Sequence, residues 1–160
     1  MMLPLRGTAL MLGDSVNSDI LHPPKYFSLD PERVKDGLFR GMASSIRESL
    51  TPDTIIIAGR NFGCGSSREV VTYSLKLNGI RLIIAVSFAR ICFRNCINQG
   101  ILPIECDATG VTVVGDRINV DPVAGIFRNE TQGRTLVFPP VDRKLLELVS
   151  THATSVGVLQ

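Results

Sequence analysis

Hydrophobic and polar positions alternate along this chain in two different ways. Between residues 54 and 105, short apolar runs are separated by helical periods. "TIIIAG" (54–59), "RLIIAV" (81–86) and "ILPIE" (101–105) are β-branched and continuous, as strands buried on both faces are. The first intervening pattern, from about Ser66 to Asn78, sets Val70, Tyr73 and Leu77 on one face, with Val71 and Leu75 beside it. Gly79 follows as a C-terminal stop. In the second, Ser87 caps "FARICFRNCINQ", which ends at Gly100. Strand–helix–strand–helix–strand predicts a parallel sheet with right-handed crossovers.

Beyond residue 110 the period shortens. "GVTVVGDRINVDPVAGIFRNETQGRTLVFPP" predicts four short strands, near 111–114, 117–120, 125–129 and 134–138, turning at Gly and Asp as an antiparallel meander. A last helix starts near Asp142, and the tail "THATSVGVLQ" is weakly patterned. Upstream, "RGTALML" (6–12) reads as a first strand. "GDSVNSDILHPPKYFSLDP" (13–31) has no clean period, and loops of that length are usually functional or disordered. Asp30 and Pro31 open the next helix, whose apolar side is Val34 and Leu38. "GMASSIRESLTP" fits a short helix or a loop. The fold class is α/β, a parallel strand–helix core with an appended antiparallel meander, in one domain over 1–160.

Composition narrows the function. The chain is 44% apolar and 20% charged, as soluble globular proteins are. A net charge of +2 is too small to argue for nucleic acid or an anionic membrane surface, and neither is expected as a partner. Of the 17 basic residues 13 are Arg, a bias that carboxylate recognition, protein interfaces and genomic base composition all explain. "MMLPLRG" reaches a charge too soon for an export signal, and no apolar run approaches membrane-spanning length. These features predict a cytoplasmic location, with Cys64, Cys92, Cys96 and Cys106 as thiols. Cys92 and Cys96, one helical turn apart in an apolar pattern, suit core packing. His22 and His152 have no ligand-like spacing to any Cys, so no metal is expected on this chain alone.

"GRNFGCGSSREV" (59–70) carries the densest chemistry. A strand, a glycine loop and a helix start together suggest anion binding. Neither nucleotide pattern is satisfied. A P-loop needs Gly-Lys-Ser/Thr, and the dinucleotide fingerprint needs a third Gly where Arg68 stands. The nucleophile elbow fails too. Gly63 and Gly65 permit close backbone approach, Arg68 suits a bidentate carboxylate, and Ser66 and Ser67 offer hydroxyls. A Ser among N–H groups and a guanidinium can bear negative charge and take a proton α to a carboxylate. The simpler alternative makes Ser66 or Ser67 a helix cap and Arg68 a surface residue. Cys64 has no nearby His in sequence to activate it as a nucleophile.

The same stretch resembles the Gly-x-Gly-Ser-Ser-Arg-Glu signature of the aconitase superfamily. "GDSVNSDILHP", "PKYFSLDPE", "VSFARICFRNCINQGILPIE" and "GDRINVDPVAGIFRNETQGRTLVFPP" extend the likeness, in order, over nearly the whole chain. It implies the swivelling β/β/α domain as a separate small subunit, as in isopropylmalate isomerase and homoaconitase. The implied reaction is reversible dehydration and rehydration of a hydroxy-acid. A [4Fe–4S] cluster belongs to the large-subunit partner, and no cofactor to this chain.

Carried onto this sequence, the resemblance makes Ser66 the base, with Ser67 supporting it or the substrate. Arg68 holds a substrate carboxylate, and Asp19, Gly63 and Gly65 are supporting or interface residues. The loop Lys25-Tyr26-Phe27-Ser28 would meet the variable end of a hydroxy di- or tricarboxylate. It lacks the Arg of homoaconitases, so a 2-alkylmalate such as isopropylmalate is the first choice, with homoaconitate or another alkylmalate as alternatives. Phe27 and Ser28 also fit as a packed loop residue and a turn hydroxyl. Val70 stands where related sequences often carry a polar residue. A stand-alone carboxylate-binding regulatory module, a scaffold in which "CGSSRE" only caps a helix, and self-association of the isolated chain stay open on the sequence.

Overall fold

β1 (Leu5–Met11) sits in the middle of a seven-stranded sheet and joins its two halves. The computed structural model describes residues 5–66 and 68–158, the last five as backbone only. On one side of β1 lie β2 (Thr54–Ala58), β3 (Leu82–Ala85) and β4 (Leu102–Glu105), all parallel. On the other lie β5 (Arg117–Asp121), β6 (Ile126–Asn129) and β7 (Arg134–Val137), all antiparallel. The order β4-β3-β2-β1-β5-β6-β7 is the parallel core with an antiparallel meander that the pattern predicted.

Period-2 alternation divides β2 and β3 between two cores. Ile56, Ala58, Ile83 and Ala85 face one side, against Leu10, Leu75, Cys92 and Cys96. Ile55, Ile57, Leu82 and Ile84 face the other, with Ile104, Ile118, Phe127 and Val149. Each of the Ile, Leu, Val and Phe side chains, withdrawn fully from water, contributes about 1.5–3 kcal/mol, and the Ala side chains less. Cys92 and Cys96 are thus core residues, as their spacing suggested.

The helices cover these faces. α1 (Ser18–Leu21) and a 3-10 turn (Pro24–Tyr26) occupy the aperiodic segment after β1. α2 (Pro31–Asp36) begins as expected, with Asp30 accepting from the Glu32 N–H at 3.1 Å. It ends before Leu38, which is nevertheless buried. α3 (Ser44–Glu48) is the short helix. α4 (Glu69–Leu77) packs on α2 and stops at Gly79, φ +85°. α5 (Arg90–Asn98) and α6 (Arg143–Val158) pack together, α6 running on through the weakly patterned tail. No described helix is long and apolar enough to cross a membrane.

Three local expectations are corrected. Residues 111–114 form no strand: Thr109–Val111 is a 3-10 turn, and Val113 and Val114 are 55% and 57% exposed. The buried Asp116 carboxylate accepts the Val113 N–H at 2.9 Å, and the Gly115 N–H donates to Ala9 O, so the run is spent on a turn. α4 starts at Glu69 rather than Ser66, since Arg68 is still extended (φ −74°, ψ 147°). Ser87 caps no helix; the residue before α5 is Ala89, and the Ser87 hydroxyl is used elsewhere.

Candidate active site

Because β1, β2 and β3 are adjacent and parallel, the loops leaving their carboxyl ends converge on one edge of the sheet, the usual place for a ligand in such sheets. The glycine-rich loop after β2 is the middle one, stitched to both neighbours by backbone hydrogen bonds. Towards the β1 loop, Ser15 N–H donates to Arg60 O (2.7 Å), Gly63 N–H to Val16 O (2.9 Å) and Ser18 N–H to Cys64 O (2.8 Å). Towards the β3 loop, Phe62 N–H donates to Ser87 O (3.0 Å) and Ala89 N–H to Phe62 O (2.9 Å).

Side chains complete the clamp. Asp14 accepts the Arg60 N–H at 2.7 Å, and Ser87 accepts the Asn61 N–H at 2.8 Å. The glycines are required here. Gly63 (φ +79°) lies so close over Cys92 that a Cβ would overlap its side chain. At Gly65 (φ +88°), a Cβ would come within 2.7 Å of the Asn17 amide. Both sit in the left-handed region that disfavours side chains.

This stitching sets Ser66 beside α1. Asn17 caps α1 by accepting the Asp19 N–H at 2.8 Å, which fixes the first turn. The Ser66 hydroxyl donates to Asp19 Oδ1 at 3.2 Å, and both residues are solvent-exposed. Ser66 is therefore not a cap of α4. Ser67 lies outside the described residues.

Arg68 occupies the cap position of α4 without a side-chain cap bond, and its guanidinium lies over the Phe27 ring, 5.6 Å from the centroid. No ion pair among the described residues engages it. Arg68 is thus held by an aromatic face while its N–H edges remain available.

The loop residues divide. Phe27 is half-buried against the core and reaches Arg68. Tyr26 instead faces two cations, with Arg33 at 5.2 Å and Lys25 at 5.4 Å from its ring centroid. Ser28 accepts the Asp30 N–H at 3.0 Å and serves the turn before α2. Val70 is half-buried and packs on the core.

Sequence did not single out Asn17 or Asp14 at all, read Ser87 only as a helix cap, and considered His22 only as a metal ligand. For Asn17 a signal exists, an Asn two positions before an acidic first-turn residue. The other three act through residues distant in the chain. Among the described residues, no group of three His, Cys, Asp or Glu side chains is placed to hold a metal ion, and two of the four thiols are buried. The described residues therefore do not fit the part of cluster holder.

Comparison with known proteins identifies the family. The Aconitase C-terminal domain family matches residues 42–109. The 3-isopropylmalate dehydratase small subunit 1 of Archaeoglobus fulgidus is 35% identical over 89% of this chain and 89% of its own. The small subunit of Methanosarcina mazei is 36% identical over 91% and 90%. A crystal structure of 3-isopropylmalate dehydratase (leuD) from Methanocaldococcus jannaschii superposes with a TM-score of 0.81 at 28% identity, covering 98% of this chain and 99% of that one. The chain belongs to the family of 3-isopropylmalate dehydratase small subunits, built on the aconitase-type β/β/α fold.

Proposed function

We propose that this chain is the small subunit of a hydro-lyase that isomerises a 2-alkylmalate, 3-isopropylmalate first, by dehydration and rehydration. In this reading it works only with a large subunit. The observation that carries the reading is the Ser66–Asp19 hydrogen bond at the shared end of β1 and β2. Family membership favours this subunit role over the stand-alone module and the scaffold.

The geometry supports the following roles. Asp19 orients the Ser66 hydroxyl, so a lone pair of Ser66 Oγ can face the substrate. As Ser66 Oγ takes the α-proton, its own proton passes to Asp19 Oδ1. The electron pair of the broken C–H bond becomes the new C=C bond as the β-hydroxyl departs. Routing the proton onward spares the site a free serine alkoxide, which would be far more basic than a carboxylate. Arg68 pairs with a substrate carboxylate through its free N–H edges. A cluster, held in this reading by the large subunit and by no residue of this chain, would supply Lewis-acid chemistry at the substrate hydroxyl.

The test is reconstitution of this chain with its large subunit, followed by turnover of isopropylmalate and a panel of alkylmalates. Activity of the pair and none of either chain alone is expected. Full activity of the large subunit without this chain would end the reading.

A further inference from the structure

His22 is fully buried and takes no part in the proton path. It closes α1, its backbone N–H bonded to Ser18 O at 2.9 Å. Its Nε2 lies 2.8 Å from Val34 O in α2. A carbonyl can only accept, so Nε2 carries the hydrogen. Nδ1 is buried, with no hydrogen-bond partner among the described residues. An unpaired buried polar atom costs about 1–3 kcal/mol.

The ring face, by contrast, has a partner. His22 stacks on Phe27, centroids 5.5 Å apart and planes 19° from parallel. Phe27 in turn lies under the Arg68 guanidinium. The space around His22 is closed, because a Cβ on Gly37 would come within 2.5 Å of Nε2. A rigid buried ring thus supports a half-buried one, which supports an exposed cation.

We propose that His22 is a positioning residue that acts through Phe27 to hold the Arg68 guanidinium ready for a substrate carboxylate. This rests on the reading of Arg68 as the carboxylate clamp. A guanidinium resting on an aromatic face keeps its N–H edge free and loses less rotamer freedom when an anion binds. The carboxylate is held in ground and transition states alike, so losing the platform raises KM more than it lowers kcat.

The experiment uses the reconstituted enzyme and the full-length chain. Phe27→Leu removes the platform, and KM should rise roughly 3- to 10-fold, the range of a cation–π contact. His22→Leu should raise KM similarly, and adding it to Phe27→Leu should bring little more. His22→Phe keeps the stack without the Val34 bond, so it should stay near the parent KM. In the full chain, the Arg68 Nε–H proton should show an upfield ring-current shift by NMR that Phe27→Leu abolishes.

Additive KM effects of the two Leu variants, or an unchanged KM in a folded His22→Leu protein, would overturn the proposal. If His22→Leu does not fold, the parent ring-current shift and the His22→Phe KM decide: no shift, or a KM raised as far as in Phe27→Leu, overturns it. Arg68→Gln separates the two readings. If it leaves KM unchanged, the clamp itself is wrong. If it raises KM while the Phe27 and His22 variants do not, only the positioning role fails.

Discussion

Ser66 and Asp19, 47 positions apart in the chain, meet through a hydrogen bond of 3.2 Å. One sits at the end of the glycine-rich loop and the other in the first turn of α1. Neither element alone would place them so. The contact follows from the Ser18 N–H to Cys64 O and Gly63 N–H to Val16 O bonds that zip the two loops together.

Replacing Ser66 by Ala in the reconstituted enzyme should lower kcat roughly 10²- to 10⁴-fold, the usual worth of a positioned proton-transfer group. Asp19→Asn keeps a hydrogen-bond partner but removes the proton acceptor, and should lower kcat by at least about 10-fold. Steady-state kinetics measure both, with size-exclusion chromatography to confirm assembly. Parent-like kcat in assembled Ser66→Ala would remove Ser66 from the reaction.

Folding stability should depend on pH through His22. Burial pushes its imidazole below the ordinary value of 6.5, against a smaller opposing effect of the Val34 carbonyl. Just below pH 6.5 the unfolded chain therefore binds more protons than the folded one, and stability falls as pH falls. Asp36, Asp53 and Asp116 lie below their ordinary 3.8, so their contributions are lost only in stronger acid. Urea unfolding between pH 7.5 and pH 5 should show the decline, and His22→Phe should flatten it. An equal slope in both proteins would assign the dependence to another group.

Two glycine substitutions separate backbone strain from overlap. Gly133 has φ +65° and open space at its Cβ position, so Gly133→Ala should cost about 1–2 kcal/mol, the strain alone. Gly63→Ala adds overlap with Cys92 and should cost about 1–3 kcal/mol more. Thermal unfolding of the two variants side by side gives the difference, and equal losses would mean that Cys92 yields freely.

Asp116 anchors the turn that replaces the expected strand. Burial pushes its carboxyl up, but the Val113 N–H and the Asn129 and Gln132 amides outweigh that and leave it below the usual range. Asp116→Ala strands the Val113 N–H and one of the two Asn129 amide N–H groups, bonded to its Oδ2 at 2.9 and 2.8 Å, while the other keeps Val111 O. The cost should be about 1–3 kcal/mol by urea denaturation. A loss indistinguishable from zero would show that water takes over both donors.

The parallel half of the sheet was legible because "TIIIA" and "LIIA" are buried on both faces, which no other arrangement of such runs satisfies as well. The helix start at Asp30-Pro31 and the stop at Gly79 were legible because capping is local chemistry. Residues 111–114 were misread for the opposite reason. A Val-Thr-Val-Val run has strand propensity, but a buried carboxylate two residues later claims its backbone. Ser66, Arg68, Asp19 and Phe27 could be nominated from motif and resemblance. Their pairing could not, since Ser66–Asp19 and Arg68–Phe27 depend on which loops lie side by side. His22 carried no motif at all; its part is visible only through the ring above it and the carbonyl beside it.

β1 has one further consequence. It pairs with β2 on one edge and β5 on the other, so Thr8 meets Asp53 and Arg117, 45 and 109 positions later in the chain. β1 thus waits for its second neighbour while the chain grows by the 109 positions from Thr8 to Arg117. Contacts of such long span slow folding, because the loop must close before the ladder rewards it. Until β5 emerges, β1 exposes an unpaired edge, and the nascent chain is at its most vulnerable to pairing with the wrong strand.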